Sequence, residues 1–402
     1  MTALKTRSPA AVDPALPALG VLFDPPRLSA LLGRPVRANR LRHKPGVSVV
    51  ARLREDNGGI RWLTAYAPGK GAKVEKTLRR AAETGVALET IPLPDAPGQF
   101  LVSGPIELDP RLYKTLRPFR SSGILEEWSV LNYNPHRRVV FAVGQGHTRT
   151  VCKTGSAHRA DADLLERLVA GGVPVLTQAN PAGLPDLGGL RYFPWFGSGD
   201  LSMRPVSGPG TAGTDAPAFA AGQALALLHA QPPASLTPGS HAPAAALAHH
   251  VARNSSLVPP LAERLENLSG ALEPLLRRPG HAALIHGDFS ADQVLVDGSD
   301  IRLIDLDRCT YGAAAADLGS FAAVELLQMP VPAQVPDVFG LPLTGTMLEG
   351  YSAGLRDVSR EEVLPWVVFH LLSRLGDPFR SCSPNWSEEM EARLDLMEDL
   401  LC

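Results

Sequence analysis

Apolar residues change their spacing about halfway along the chain. In the first half they come in short runs rich in branched side chains, at residues 47–53, 60–67, 86–93 and 99–102, and such runs predict strands. Asp56-Asn-Gly-Gly59, between the first two, is a hairpin turn. A short helix is expected over 27–32, stopped by Gly33. A longer one is expected over 73–83, where Val74, Leu78 and Ala81 share a side and Gly85 ends the run. From residue 219 onward the spacing is helical, over 219–229, 244–251, 261–276, 317–327, 341–353, 360–374 and 386–401. The pattern predicts an α+β chain with a β-rich front and a mostly helical back.

The front pattern occurs twice. Leu131-Asn-Tyr-Asn-Pro-His-Arg-Arg-Val-Val140 echoes Leu41-Arg-His-Lys-Pro-Gly-Val-Ser-Val-Val50, with Pro45 matching Pro135 and the Val-Val pairs at the same offset. Each is followed by a second strand, a helix and a Gly-Val pair, Gly85-Val86 and Gly172-Val173. Two small β-rich lobes of similar plan are expected, related either by duplication or by chance recurrence of a common strand order. The second copy ends a strand on Lys153 and continues into a helix over 161–170 that carries Glu166. The first has Trp62-Leu-Thr-Ala-Tyr66 in the corresponding region and no lysine.

The helical half is interrupted at 281–326. Short apolar runs at 282–285, 294–296 and 301–304 read as strands, with Asp297-Gly298 as the turn between the last two. This puts Asp288 and Gln293 on one loop and Asp305 at the end of the neighbouring strand. Phosphoryl transfer requires one carboxylate to orient a hydroxyl and accept its proton, plus oxygen ligands that hold magnesium on the phosphates. Asp288 suits the first task, and Gln293 and Asp305 the second. Each carboxylate alone would be ordinary turn or cap chemistry; their order within one segment is what points to a site.

His286-Gly-Asp-Phe-Ser-Ala-Asp-Gln293 followed by Ile304-Asp-Leu-Asp307 resembles the catalytic and metal-binding segments of the aminoglycoside phosphotransferase and choline kinase superfamily, which shares the protein-kinase fold. That family has Asn where this chain has Gln293. The resemblance implies a bilobal protein-kinase-like fold with a small β-rich N-lobe and a mostly helical C-lobe. It divides the chain into a flexible leader over 1–20, an additional N-lobe-like α+β cap domain over 21–122, the N-lobe and hinge over 123–200, and the C-lobe over 201–402. Asp288 would be catalytic, and Gln293 and Asp305 metal ligands with Asp307 as a fallback. Asp317 of Ala316-Asp-Leu-Gly319 would brace the catalytic loop, and Lys153, paired with Glu166, would hold nucleotide phosphates.

The hinge would be Leu190-Arg-Tyr-Phe-Pro-Trp-Phe-Gly197, with backbone groups of Phe193 and Trp195 on the base and their rings in the core. No Gly-x-Gly-x-x-Gly precedes Lys153, so backbone amides and Arg137 or Arg138 would help with the phosphates. His229 is similar in position to a family segment beneath the catalytic loop and is expected to be a buried structural histidine. The implied cofactors are ATP (or GTP) and Mg2+. The implied reaction moves a γ-phosphate to a hydroxyl of a sugar, an aminocyclitol or an amino alcohol. The alternative is a kinase-fold scaffold in which Gln293 marks lost catalysis.

Composition narrows this picture. The 402 residues are 45% hydrophobic and 20% charged, an ordinary globular balance. A net charge of -2 gives no reason to expect nucleic acid or an anionic membrane as partner, and an enzyme for strongly cationic aminoglycosides would be expected to carry more acid. Cys152, Cys309, Cys382 and Cys402 lack metal-type spacing, which fits a reducing cytoplasm. Pro9, Pro14 and Pro17 break the N-terminal segment, which lacks the apolar core of a signal peptide, and no run is long enough to cross a bilayer. The pattern is compatible with a monomer or a dimer. The acidic C-terminal stretch, Ser387-Glu-Glu-Met-Glu391 with Asp395, Glu398 and Asp399, either draws an amine or is a solvated face.

Overall fold

A computed structural model describes residues 8–70, 72–155, 162–203, 216–232, 243–329 and 335–401. The chain forms two compact units. Met1–Ala157, Gln178–Trp195 and Gly376–Met390 belong to the first, and His158–Thr177, Phe196–Leu375 and Glu391–Cys402 to the second.

The first unit opens with α1 (Ala18–Leu22) and α2 (Pro25–Leu32), the latter capped by left-handed Gly33 as its sequence predicts. Strands β1 (Val36–Lys44), β2 (Ser48–Glu55) and β3 (Ile60–Tyr66) lead to α3 (Ala72–Thr84), β4 (Glu89–Pro92) and β5 (Phe100–Pro105), forming an antiparallel sheet of order β1-β2-β3-β5-β4. After α4 (Tyr113–Ser121), strands β6 (Ser129–Asn134), β7 (Arg138–Val143), β8 (Thr150–Thr154) and β9 (Leu190–Pro194) make a second antiparallel sheet in sequence order.

The two sheets share one core. Trp62, Val102 and Phe119 from the front half pack in the same cluster as Tyr133, Phe141 and Cys152 from the second sheet. Buried Asp109 ties the halves together, accepting hydrogen bonds from Tyr133 Oη (2.6 Å) and from the His136 amide (2.7 Å). The expected division at 122/123 is therefore not a boundary between compact units, because each sheet buries its apolar face in the same cluster. Nor are residues 8–20 the flexible leader expected from their prolines. Leu16, Leu19 and Leu22 are buried, and the Asp13 carboxylate lies 2.8 Å from His43 Nε2 and accepts from the Gly46 amide. Residues 1–7 of that leader lie outside the described residues.

The second unit contains α5 (Ala162–Ala170), β10 (Gly199–Asp200), α6 (Ala216–His229), α7 (Pro243–Leu257) and α8 (Ala262–Leu276). Next come β11 (Ala282–Ile285), β12 (Val294–Asp297), β13 (Asp300–Leu303) and β14 (Thr310–Ala313), then α9 (Ala314–Gln328), α10 (Pro342–Gly354) and α11 (Arg360–Arg374). The chain re-enters the first unit with α12 (Asp377–Arg380) and ends on α13 (Trp386–Leu401). The loose connections expected within 204–215 and 233–242 lie outside the described residues. Strands β12 and β13 form the predicted hairpin, turning at Gly298 with φ +61°. The β11 strand is not their neighbour: it pairs with β14, in the register Ile285↔Thr310 to Ala282↔Ala313, and β12 pairs on its other side with β10.

Candidate active site

Asp288 leaves β11 two residues after His286, and its backbone is set from below by one buried carboxylate. Asp317, at the start of α9 and 1% exposed, accepts the His286 amide (2.6 Å) on Oδ2 and the Gly287 amide (2.9 Å) on Oδ1. His229 Nε2 lies 3.1 Å from Oδ2, and its Nδ1 lies 2.9 Å from the Tyr351 hydroxyl. Burial alone would raise the Asp317 carboxyl, but the His229 contact, with the charges and the His286 amide hydrogen bond, outweighs it and leaves the group below the ordinary carboxylate range. His229 is thus the buried structural histidine the sequence suggested. The backbone at Gly287 has φ +82°, and a Cβ there would sit 2.4 Å from the Arg308 carbonyl, so the turn that presents Asp288 admits only glycine without rearrangement.

The Asp288 carboxylate is half-buried and held at both oxygens. Arg374 Nη2 donates to Oδ1 at 3.1 Å, and Arg308 Nη1 lies 3.3 Å from Oδ2. Neither arginine is part of the candidate set drawn from sequence. Arg308 stands one residue after Asp307 and reads there as an ordinary solvated cation. Arg374 comes from the far end of α11, and no local signal links it to the loop.

Gln293 and Asp305 are brought together by the hairpin. Val294 faces Leu303, and the Ile304 amide donates to the Gln293 carbonyl at 3.0 Å, which places Asp305 one residue beyond the Gln293 rung. Asp305 adopts φ +62°, ψ +41°, a left-handed conformation uncommon outside glycine that marks a constrained position. The Gln293 side-chain nitrogen donates to Asp292 at 3.1 Å, which leaves its amide oxygen as the atom able to meet a cation. One carboxylate and one amide oxygen fit a magnesium-like ion that takes its remaining ligands from phosphates and water. Among the described residues no cluster of three or more His, Cys, Asp or Glu side chains forms a protein-only metal cage.

Lys153 stands on β8 of the first unit, on the strand face opposite buried Cys152, and Glu166 is exposed on α5 of the second unit. The hinge requires a correction. The Trp195 amide donates to the Arg149 carbonyl at 3.0 Å, and antiparallel alternation then gives Phe193, opposite Val151, the same inward orientation. The backbone groups of Phe193 and the Trp195 amide are committed to the ladder and cannot also read a nucleotide base. On the outer edge the parity is opposite: the Tyr192 carbonyl accepts from Ala179, and the Pro194 carbonyl points the same way. The Trp195 ring lies under the Arg149 guanidinium at 3.5 Å.

Three of the α13 acids already have a cationic partner. Arg264 on α8 binds Asp395 at 2.6 Å and also pairs with Glu398 and Glu391. Among the described residues no helix is long and apolar enough to cross a membrane.

A β-rich unit joined to a helical unit whose short hairpin follows a His-Gly-Asp loop defines a protein-kinase-like phosphotransferase. The family model of the phosphotransferase enzyme family matches residues 136–355, more than half of the sequence, and the chain belongs to that family. Among solved structures, an amicoumacin kinase in complex with AMP-PNP, Ca2+ and Ami is 14% identical at a TM-score of 0.51, covering 71% of this chain and 94% of that one. A choline/ethanolamine kinase family protein from Mesorhizobium loti is 14% identical (TM-score 0.49; 72% and 94% covered). A type VIII aminoglycoside-3'-phosphotransferase is 22% identical (TM-score 0.47; 64% and 98% covered). No curated protein matches the sequence.

Proposed function

We propose that the protein transfers the γ-phosphate of ATP to a hydroxyl of a small molecule, with a divalent metal, Mg2+, on the phosphates. The observation that carries this reading is the loop around Asp288: its backbone is pinned by Asp317 and its carboxylate is fixed by two arginines, one chain segment before the adjacent Gln293 and Asp305. A carboxylate so fixed can orient an acceptor hydroxyl. The acceptor oxygen bonds to the γ-phosphorus, the bond from that phosphorus to the β–γ bridging oxygen breaks, ADP leaves, and the hydroxyl proton passes to Asp288. Asp305 and the Gln293 amide oxygen would hold the metal, which when bound neutralises charge on the phosphates. Lys153 would hold nucleotide phosphates. The Pro194 carbonyl on the outer edge would meet the base. The amicoumacin kinase, bound to AMP-PNP and Ca2+, is in keeping with this assignment. A reaction that consumes ATP also suits a cytoplasmic enzyme.

The test is Asp288→Asn. Loss of a general base lowers turnover by about 10²–10⁴-fold, so ADP release with an accepted substrate should fall by that range while Mg-ATP binding, read by thermal shift, persists. Equal turnover in variant and parent would remove Asp288 from the role.

A further inference from the structure

We propose that the acceptor carries an anionic group, a carboxylate or a phosphate, which Arg374 holds beside Asp288. The inference rests on the phosphotransferase reading above and names the substrate class for that site.

Two guanidinium groups face the one Asp288 carboxylate. Among the described residues neither Arg308 nor Arg374 pairs with any other acidic side chain. Arg374 is also built in. It ends α11, and the three final carbonyls of that helix are each held by a side chain: Leu372 by Asn254 (3.1 Å), Ser373 by Arg253 (2.9 Å) and Arg374 itself by Arg393 (3.3 Å). Its side chain is 21% exposed, enough to meet a ligand but too confined to swing into solvent, whereas Arg308 is 68% exposed.

The wall next to it carries imidazoles, and the buried Asp317 carboxylate is near enough to act on His370. His370, one turn earlier on α11, lies 3.5 Å from Arg374 Nη1, and His250 on α7 stacks edge-on against Phe369. Burial pushes the His370 imidazole down to about 3, helped by the Arg374 charge and opposed by Asp317, and the His250 imidazole down to about 4, helped by the Arg253, His249 and Arg374 charges, so both are neutral at pH 7. The His250 Nδ1 atom is buried without a hydrogen-bond partner among the described residues. Of the α13 carboxylates that might have welcomed an amine, Glu391, Asp395 and Glu398 are engaged by Arg264. A cationic acceptor would meet two guanidinium groups beside Asp288 here. A carboxylate or phosphate would meet a planar fork of donors matched to its geometry.

The experiment measures ADP release by the full-length protein with Mg-ATP and three acceptor sets: hydroxy acids and sugar phosphates, neutral sugars and polyols, and aminocyclitols and amino alcohols. Turnover is expected with the first set, and its two members separate carboxylate from phosphate. Arg374→Gln should raise KM for the preferred anionic acceptor by about 10- to 100-fold, well beyond whatever change its uncharged analogue shows through the loosened Asp288, and show partial recovery as Arg374→Lys. Thermal midpoints of the variants confirm folding. Turnover confined to neutral or cationic acceptors, no turnover of any anionic acceptor, or an equal penalty on charged and neutral analogues would overturn the inference. Acceptor-independent ATP hydrolysis and nucleotide-induced stabilisation, read on the same samples, separate the two levels. If both are absent, the kinase reading fails and takes this inference with it; if they are present without anionic preference, this inference alone fails.

Discussion

Asp317 concentrates the electrostatics of the second unit in one buried side chain. It satisfies two loop amides and faces His229, so removing it as Asp317→Ala leaves those donors unpaired in the interior. Breaking a buried pair of this kind costs about 3–5 kcal/mol, and urea unfolding of the second unit should report that loss. Its pH dependence has a definite sign. The folded carboxyl titrates below its unfolded counterpart, so its contribution is present above the unfolded value of about 3.9 and fades as pH falls through the folded one. The stability gap between parent and Asp317→Asn should therefore narrow in acid; a gap that widened on acidification would contradict the assignment. At this scale the motif residues were legible from sequence because they sit within one short segment. Arg374 was not, since it lies 86 positions from Asp288, and the hinge contacts were missed by a one-residue parity error, which in a strand exchanges the paired edge for the open one.

Elements were readable where their periodicity was strong. The ranges of α11 and α13 agree with the expectation, and the β12–β13 hairpin follows its Asp-Gly turn. Strand β1 was hidden because five of its nine residues are Arg, His or Lys, and its alternation slips at Arg40, where φ is +53°. Strand β14 was hidden by its small, weakly apolar sequence, and its identity comes from pairing with β11. The α13 acids read two ways in sequence, and for Glu391, Asp395 and Glu398 the pairing with Arg264 favours a structural role. Neutralising Asp395 and Glu398 together should leave acceptor KM unchanged and cost about 0.2–1 kcal/mol per exposed pair; a rise in KM for an amine-bearing acceptor would restore the opposite reading.

At the scale of the whole molecule, the first unit shows what the repeat means physically. Both hairpins turn on a proline followed by a left-handed residue, Gly46 (φ +63°) and His136 (φ +58°), and both have a register irregularity ahead of the turn, between Asn39 and Arg42 and between Val130 and Asn132. The two copies nevertheless share one core, so residues 8–122 expressed alone should not unfold cooperatively: Trp62, Val102 and Phe119 would lose Tyr133 and Phe141. A sharp urea transition for that fragment would show the contrary. The sequence marked the similarity of the copies but not their merger, because packing between distant segments leaves no local period.

The pairing of β11 with β14 has one more consequence. The chain leaves the sheet after Ile285 and returns at Thr310, so Asp288, Gln293, Asp305 and Arg308 all belong to a single excursion tied at its neck by four antiparallel rungs. Closing such a loop early is entropically cheap compared with assembling the same residues from remote parts of the chain. The neck and the β12–β13 hairpin should accordingly behave as one cooperative folding unit, and native-state hydrogen exchange would show the amides of Leu284, Tyr311 and Ile301 opening with a common free energy.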